Sequence, residues 1–480
     1  MRKKVNFNNL GERRIFFRQA YKYICKKQNC EIEFDERLNL GTFSSIGIVK
    51  DEKKNEYIVK INDYVKTYYS VLDGMEKQAD GDGLLSIFND FGSMAKNEIG
   101  FLLNVRNKEF DEEAEYVELE TGATKEEMRE GAENIIEILG YGKIDCGELK
   151  KDNNADIPEH KDNTYDITPF RFYEMPYLDG ITRKSYTLKD ALALGADIAN
   201  ALCCVHDEEL LNVGCHGDIK LSNILCANNE NRYDPYRYIL SDFITIHRDM
   251  GKSRAAGEIG TPATMAPEMF GSGKNEPEYS YTVDYYSLAA TMYCMLNGGR
   301  YPDPDGNTRR LSNNKMPFSY TGFAKNGVGL EGYMDPLAEA SQKLVADMLK
   351  EEHGFGSSEA EAAVKVYLFI VKQLEYDKKD RAIRPEAGET AVECTRRVKN
   401  TYLGFLYELG NACFEDENYD RAAEYFGRYI SRQERELRYI LSDEKRKNDS
   451  ALVSKCTQNL MNAKSRMGLS FYELAKEIQG

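Results

Sequence analysis

Several features that would indicate other protein classes are missing from this 480-residue sequence. It has no run of about 18 apolar residues, the length that a membrane-spanning helix needs. No apolar stretch that could form a signal peptide follows the basic N-terminus MRKKVNFNNLGERR. Cations are not in surplus, since 64 Lys and Arg stand against 80 Asp and Glu, a formal net charge of −16. We therefore expect no nucleic-acid partner, no membrane partner and a cytoplasmic location.

The eleven cysteines are not arranged for a metal site or a disulfide framework either. They are scattered, and only Cys25/Cys30 and Cys203/Cys204 lie near one another, without the repeated CxxC spacing of a zinc site. We therefore expect reduced, mostly buried thiols. The chain does contain 41% hydrophobic and 30% charged residues, a composition that can bury a substantial core. Its length predicts two or three domains.

Short β-like runs and one helical run fill the chain from 31 to 178. Two of the β-like runs flank the polar turn DEKKN and therefore predict a hairpin. The helical run has apolar residues at helical spacing. The predicted elements are hairpin strands at 46–50 and 56–61, a helix at 96–105, and strands at 134–142 and 170–178. The acidic stretch 109–133 and the polar stretch 148–166 predict surface insertions.

After residue 180 the pattern becomes mainly helical. Apolar stripes predict helices at 187–206 and 283–296, whereas the Gly-, Pro- and Asn-rich stretch 298–332 predicts loops. From 401 onward the pattern is helical throughout. There, small and bulky residues occupy the packing positions of a tetratricopeptide repeat: Leu409, Gly410, Ala422 and Phe426. A single repeat cannot bury its own face, so we expect this tail to stack on its third helix (452–478) or on the preceding domain.

The segment HGDIKLSNIL (216–225) carries the strongest chemical signal. Phosphoryl transfer needs a carboxylate that orients the attacking hydroxyl, a cation on the phosphates and ligands for a metal ion. The spacing D-x-K-x-x-N supplies such groups in Asp218, Lys220 and Asn223. The segments LSDFI, GTPATMAPE and DYYSLA follow in order. With this series of motifs the chain resembles the protein kinase family over roughly 31–400.

The resemblance implies an α+β, two-lobed protein kinase fold, with a small β-rich N-lobe and a large helical C-lobe, followed by an α-helical tetratricopeptide-like module. It also implies ATP and Mg²⁺ as cofactors and a protein substrate, and the tail is expected to have a protein partner. The expected limits are an N-terminal extension at 1–30, the N-lobe at 31–178, the C-lobe at 179–400, the tail at 401–480, and insertions near 109–133, 148–166 and 301–362.

The same resemblance assigns roles to individual residues. Asp218 would accept or orient the substrate hydroxyl, and Lys220 would contact the γ-phosphate. Lys60 would hold the α- and β-phosphates, with Glu98 as its ion-pair partner. Asn223 and Asp242 would bind Mg²⁺. The other expected nucleotide contacts are Gly41, Gly47 and Val49 of the glycine-rich loop, Met175, Pro176 and Leu178 of the linker, and Leu225 under the adenine.

Three further motif residues are expected to hold the activation segment and the catalytic loop. Thr261 would lie near the acceptor hydroxyl, and Asp284 would bond the catalytic-loop backbone. Glu268 should need a buried arginine, because an unpaired buried carboxylate is costly. The best match is Arg381, and Arg384 is the second.

Three departures from the family pattern bear on activity. The family pattern G-x-G-x-x-G-x-V, aligned on Val49, requires glycines at positions 42 and 44, where this chain has Thr42 and Ser44. Gly217 replaces the arginine of H-R-D, which indicates activity that is constitutive or controlled by another domain. Ile244 replaces the glycine of D-F-G and restricts the backbone there.

The function inferred from the resemblance is an ATP- and Mg²⁺-dependent kinase of Ser/Thr residues in proteins, and two alternatives stay open. One is a pseudokinase scaffold that binds partners through the kinase fold and the helical tail. The other is a small-molecule phosphotransferase resembling the aminoglycoside or choline enzymes, in which His-Gly-Asp is common. Lys220 and the A-P-E anchor argue against this second alternative.

Overall fold

The computed structural model describes residues 10–28, 31–32, 39–40, 44–51, 53–62, 94–119, 129–144, 170–181, 186–210, 214–229, 231–246, 260–270, 278–296, 339–443 and 446–479. The chain divides into two compact units. The N-terminal unit takes residues 1–123, 136–178 and 253–256, and the C-terminal unit takes 124–135, 179–252 and 257–480.

The N-terminal unit consists of an antiparallel sheet with helices. Its elements are α1 (Leu10–Gln28), β1 (Glu31–Ile32), β2 (Asn39–Leu40), β3 (Ser44–Lys50), β4 (Glu56–Asn62), α2 (94–104), β5 (Tyr116–Glu118), β6 (Gly140–Ile144) and β7 (Phe170–Pro176). The strand order is β1-β3-β4-β7-β6-β5, and β2 also pairs with β3. Strand β5 comes from the acidic stretch that was predicted as an insertion.

The predicted hairpin is confirmed as β3 and β4, which pair along their full lengths. Its turn is closed by Asp51, whose carboxylate accepts from the backbone and side-chain nitrogens of Asn55, each at 2.8 Å. Because side chains alternate across a strand, the register sets two faces. Lys60 lies opposite Ile46 and therefore on the same face.

The strand predicted at 134–142 is only half correct. A 3-10 helix, Ala132–Asn134, precedes an extended segment, and the strand begins at Gly140. Asn134 donates to the carbonyl of Tyr238 at 2.8 Å, and Ile135 forms an isolated bridge with Leu240. The first part of the run therefore bonds within the C-terminal unit, so it cannot continue the ladder of β6.

The C-terminal unit is largely helical. Its strands are β8 (Asp179–Gly180), β9 (Ile224–Asn228) and β10 (Tyr236–Leu240); its helices are α3 (Leu188–Val205), α4 (Tyr281–Leu296), α5 (Glu339–His353), α6 (Ser357–Gln373), α7 (Ala391–Glu415), α8 (Tyr419–Ser442) and α9 (Ser450–Gln479). Helices α3 and α4 confirm the two predicted helices. Helix α3 begins with a capping box between Thr187 and Asp190. The predicted loops at 298–332 lie outside the described residues.

The C-terminal tail packs both on itself and on the preceding helices. Helix α7 continues through the predicted boundary at 400. Helix α8 packs against α7, α9 and α3, so the expected stacking occurs on both candidate neighbours. A Cβ on Gly410 would lie 2.8 Å from the ring of Phe426, which is the close packing that the repeat pattern predicted. The likeness to a tetratricopeptide repeat itself stays a prediction.

Two findings concern the described residues only. None of their helices is long and apolar enough to cross a membrane. Their nine cysteines are free thiols, of which eight are buried and Cys226 is half-buried. The expectation that the cysteines are mostly buried is confirmed for that part of the chain, while Cys30 and Cys146 lie outside it.

Candidate active site

The loop that begins the motif HGDIKLSNIL is held by Asp284 of α4. This carboxylate is fully buried and accepts from the backbone nitrogens of His216 at 2.7 Å and Gly217 at 2.9 Å. The predicted bonds from Asp284 to the loop backbone are therefore present. His206, at the end of α3, donates to the same carboxylate at 2.9 Å. The loop is thus fixed by a helix and a helix end that the core holds in place.

The backbone at Gly217 explains why this residue is a glycine. Its φ is +78°, in the left-handed region that costs other L-residues about 1–2 kcal/mol. Glycine has no Cβ and adopts this conformation without that cost. The position that departs from H-R-D is therefore compatible with the loop conformation.

Asp218 is the centre of a compact polar cluster. Its Oδ2 accepts from Nζ of Lys220 at 2.7 Å, and its Oδ1 accepts from the hydroxyl of Thr261 at 2.7 Å. Nζ of Lys220 also donates to Oγ1 of Thr261 at 2.8 Å. Asp218 is 8% exposed. The structure therefore brings together a carboxylate, an ammonium group and a hydroxyl from two separate motifs.

Asn223 and Asp242 are linked by hydrogen bonds between Ser241, the residue before Asp242, and the backbone of Asn223. Nδ2 of Asn223 donates to the carbonyl of Asp218 at 2.9 Å and to its Oδ2 at 3.2 Å. The backbone nitrogen and hydroxyl of Ser241 donate to the carbonyl of Asn223 at 2.9 and 3.0 Å. Asp242 follows directly, with a φ of +65°. Carboxylate and amide oxygens are hard donors that suit Mg²⁺, so these two residues fit a magnesium site.

Phe243 and Ile244 follow Asp242 in a short 3-10 helix, Phe243–Thr245. Phe243 is fully buried, and its ring meets the His216 ring edge-on with a centroid distance of 4.9 Å. A 3-10 turn is right-handed and accepts a β-branched residue. The backbone at Ile244 therefore does not require the glycine of D-F-G.

Glu268, which is half-buried, has the arginine partner that the sequence predicted. Its two oxygens accept from Nη1 and Nη2 of Arg381 at 2.7 and 2.6 Å, a bidentate pair. The Arg381 side chain is 2% exposed and also lies over the ring of Tyr286, 4.9 Å from its centroid. Arg384 instead donates to the carbonyl of Lys379. The first of the two predicted arginines is confirmed.

In the N-terminal unit, Lys60 and Glu98 form the expected ion pair. Nζ of Lys60 lies 2.7 Å from Oε1 of Glu98, and both side chains are almost completely buried. The hydroxyl of Tyr173 donates to the same Oε1 at 3.0 Å. The ammonium group of Lys60 is thus held at a fixed place on one face of the sheet.

The expected nucleotide contacts divide between the two faces of that sheet. Met175 pairs with Ile58 and lies on the face that carries Lys60. Gly47 and Val49 alternate with Ile46 and therefore lie on the opposite face. The structure thus does not bring Gly47 and Val49 to the Lys60 side. Gly41 lies outside the described residues.

The other expected contacts are less buried. Pro176 ends β7, and Leu178 follows it; both are half-exposed. Leu225 belongs to the C-terminal unit, where it pairs with Gly180 and is also half-buried.

The motifs did not identify two residues that hold the site. Tyr173 supports Glu98, and strand alternation was a usable signal, because Tyr173 lies two residues before Met175. His206 supports Asp284, but a single histidine at the end of an apolar helix gives no distinctive signal. Both act on residues that the motifs did identify.

Comparison with known proteins agrees with this geometry. A family model described as "Protein kinase domain" matches residues 170–383. The serine/threonine-protein kinase TOS3 of Saccharomyces cerevisiae is 30% identical over 119 residues, which are 23% of this chain and 20% of that protein. The human serine/threonine-protein kinase 32B is 37% identical over 86 residues, 18% of this chain and 19% of that protein.

One similar protein is bacterial. The serine/threonine-protein kinase PknK of Mycobacterium bovis is 33% identical over 135 residues, 26% of this chain and 11% of that protein. The matched segments thus span about a fifth or less of the length of these three relatives. Residues 170–383 are thus similar to a protein kinase domain, and the chain has an antiparallel β-sheet in its N-terminal unit and a largely helical C-terminal unit.

Proposed function

We propose that this chain is an ATP- and Mg²⁺-dependent protein kinase that phosphorylates serine or threonine residues of protein substrates. The observation that carries the proposal is the cluster around Asp218, whose carboxylate is bonded at once by Lys220 and Thr261. Such a cluster pairs a carboxylate that can orient a hydroxyl with a cation that can neutralise phosphate charge. Nothing in this chemistry needs a covalent enzyme intermediate.

Each residue would act on a stated group. Asp218 would accept the hydrogen bond of the substrate hydroxyl and set its direction of attack. Lys220 would place its positive charge beside the transferring phosphoryl group, and Lys60, held by Glu98, would hold the other phosphates. Mg²⁺, when bound, would neutralise charge on the phosphates, and Asn223 and Asp242 would hold it.

A protein substrate is favoured over a small molecule by the end of the activation segment. Glu268 is fixed by Arg381, and the hydroxyl of Ser287 donates to the carbonyl of Thr264 at 2.8 Å. This segment positions peptides in protein kinases, and the aminoglycoside and choline enzymes lack it. Lys220 favours a Ser/Thr acceptor over tyrosine, as do the names of the relatives.

The proposal extends to the organisation of the chain. We place the kinase domain at 31–400 and a tetratricopeptide-like tail at 401–480 that binds a protein partner. Since Gly217 offers no cation for a phosphorylated activation segment, we propose activity that does not depend on such a phosphate. A cytoplasmic location and the absence of a nucleic-acid partner fit the acidic composition.

Transfer of radiolabelled phosphate from ATP to a generic protein substrate tests the proposal. We expect incorporation by the wild type, and a loss of at least about 100-fold in Asp218→Asn and Lys60→Met, since each removes a charged group of the transfer site. The matched controls are Asp380→Asn and Lys343→Met, which change exposed residues outside the site. Both controls should keep wild-type activity.

Two results would contradict the proposal in different ways. No mutation-sensitive incorporation, together with no thermal stabilisation by Mg·ATP, would favour the pseudokinase scaffold. Transfer to an aminoglycoside or an amino alcohol, but not to protein, would favour the small-molecule phosphotransferase.

A further inference from the structure

The space above Gly47 is filled by an aromatic ring from the N-terminal helix. A Cβ on Gly47 would lie 2.8 Å from Cε1, 2.9 Å from Cζ and 3.2 Å from Cδ1 of Tyr21. Carbon atoms in protein interiors pack at about 3.5–4.0 Å, so no side chain fits at position 47 while the ring is there. The ring itself is fully buried and has little room to move aside.

The hydroxyl of Tyr21 joins the two strands of the hairpin. It lies 3.2 Å from Oγ of Ser45 in β3 and 3.2 Å from the carbonyl oxygen of Val59 in β4. Ser45 is also fully buried. One side chain of α1 therefore contacts both strands at neighbouring positions of the ladder.

These contacts lie directly behind Lys60. Gly47 is opposite Val59 in the register, and the carbonyl of Val59 belongs to the peptide group that continues into Lys60. Gly47 and Val59 lie on one face of the sheet, and Lys60 lies on the other. Tyr21 thus holds, from the far face, the strand segment that presents Lys60 to Glu98.

We propose that Tyr21 is a positioning residue for nucleotide binding, and that Tyr21, rather than a phosphate, requires the glycine at position 47. The proposal rests on the proposed function, because it assumes that Lys60 binds the phosphates of ATP. In this arrangement α1 is part of the nucleotide-binding unit. Displacement of the Tyr21 ring moves β3 relative to β4 and so moves the ammonium group of Lys60.

A double-mutant cycle in the full chain tests this coupling. The variants are Gly47→Ala, Tyr21→Leu and the combination of both. Leucine keeps apolar bulk but lacks the ring atoms that lie closest to position 47. The measured quantities are the Kd of Mg·ATP by calorimetry, and kcat and KM for ATP. Arg18→Ala, which changes an exposed residue of the same helix, is the matched control.

We expect Gly47→Ala to raise the Kd and the KM about tenfold in the wild-type background and less than about twofold in the Tyr21→Leu background, because coupled residues in contact are not additive. kcat at saturating ATP should change less than about threefold, since Lys60 is displaced before the nucleotide binds and not during transfer. The control Arg18→Ala should stay within about threefold of wild type.

Three results would overturn the inference. Equal penalties for Gly47→Ala in both backgrounds would assign the glycine to the phosphates instead. If Tyr21→Leu lowers the folded fraction while its folded molecules bind Mg·ATP with the wild-type Kd, Tyr21 is structural only. A folded wild type that binds no Mg·ATP would remove the proposed function and the inference together, whereas the first two results leave the proposed function intact.

Discussion

Replacement of Arg432 by methionine tests how helix α8 is attached to the rest of the C-terminal unit. Arg432 of α8 donates from Nη2 to Asp197 of α3 at 2.7 Å and from Nη1 to Asp234 at 3.0 Å. Asp234 lies in the connection from β9 to β10. The side chains of all three residues are at most 4% exposed. Arg432→Met keeps the apolar stem of this residue and removes its guanidinium group, with the charge and the hydrogen-bond donors.

The expected loss of unfolding free energy follows from the two carboxylates that stay buried after Arg432 is replaced. Asp197 keeps a bond from Arg435 at 2.8 Å. Among the described residues, Asp234 keeps the side-chain amide of Asn229 at 3.4 Å and the more distant cations of Arg428 at 3.6 Å and Arg435 at 4.0 Å. Removal of one partner of a buried ion pair costs about 3–5 kcal/mol, because the other charge stays buried. We expect a loss in this range from the free energy of unfolding, which is a large share of a typical total of about 5–15 kcal/mol.

The assay is reversible urea unfolding, with thermal unfolding as a second measurement and an expected decrease in Tm of about 5–10 °C. Arg438→Met, an exposed arginine on the same helix, is the control and should change stability by less than about 0.5 kcal/mol. A loss below about 1 kcal/mol in Arg432→Met would refute the reasoning. So would two separate transitions of which only one moves, because the tail would then unfold independently.

Three further predictions concern other parts of the chain. Burial raises the pKa of Glu174 from 4.5 to about 6. The stability that the protonated carboxyl group contributes is therefore lost as pH rises from about 4.5 to 6. Glu174→Gln should add about 2 kcal/mol to the unfolding free energy at pH 7.5 and nothing at pH 4. Gly217→Ala should lower kcat at least about tenfold, because the left-handed backbone disfavours a Cβ; an unchanged kcat in the phosphate-transfer assay would contradict this. Arg381→Lys should lower transfer to protein, because lysine cannot form the bidentate pair with Glu268, while calorimetry shows unchanged Mg·ATP binding; Arg384→Lys is the control.

The catalytic loop and its anchors were predictable because their partners are either close in sequence or required by electrostatics. Asp218, Lys220 and Asn223 lie within six residues, so their spacing alone brings them together. Arg381 could be chosen across more than a hundred residues because a carboxylate shielded from water, as Glu268 was expected to be, needs a cation. Sequence patterns therefore work where one physical requirement leaves few solutions.

The positions of the side chains on β3 were less predictable, because the face on which each one lies depends on the exact alignment of the motif with the strand. A shift of one position moves every side chain of a strand to the other face. The match on Gly47 and Val49 placed them with Lys60, whereas the pairing of β3 with β4 places them on the opposite face. The contact between Gly47 and Tyr21 joins residues that are far apart in the chain, so no local sequence pattern predicts it.

The tail shows why charge patterns alone mislead. Arg428, Arg432 and Arg435 recur at helical spacing, which in a sequence is typical of a solvated face, yet the structure buries all three. Their burial depends on acidic partners in α3 and in the connection from β9 to β10. A deletion after residue 400 would therefore expose or orphan those carboxylates, and a resulting loss of activity would say nothing about partner binding. Substitutions on the exposed side of α9, such as Met461→Ser and Tyr472→Ser, separate the two roles, because they leave the arginines in place.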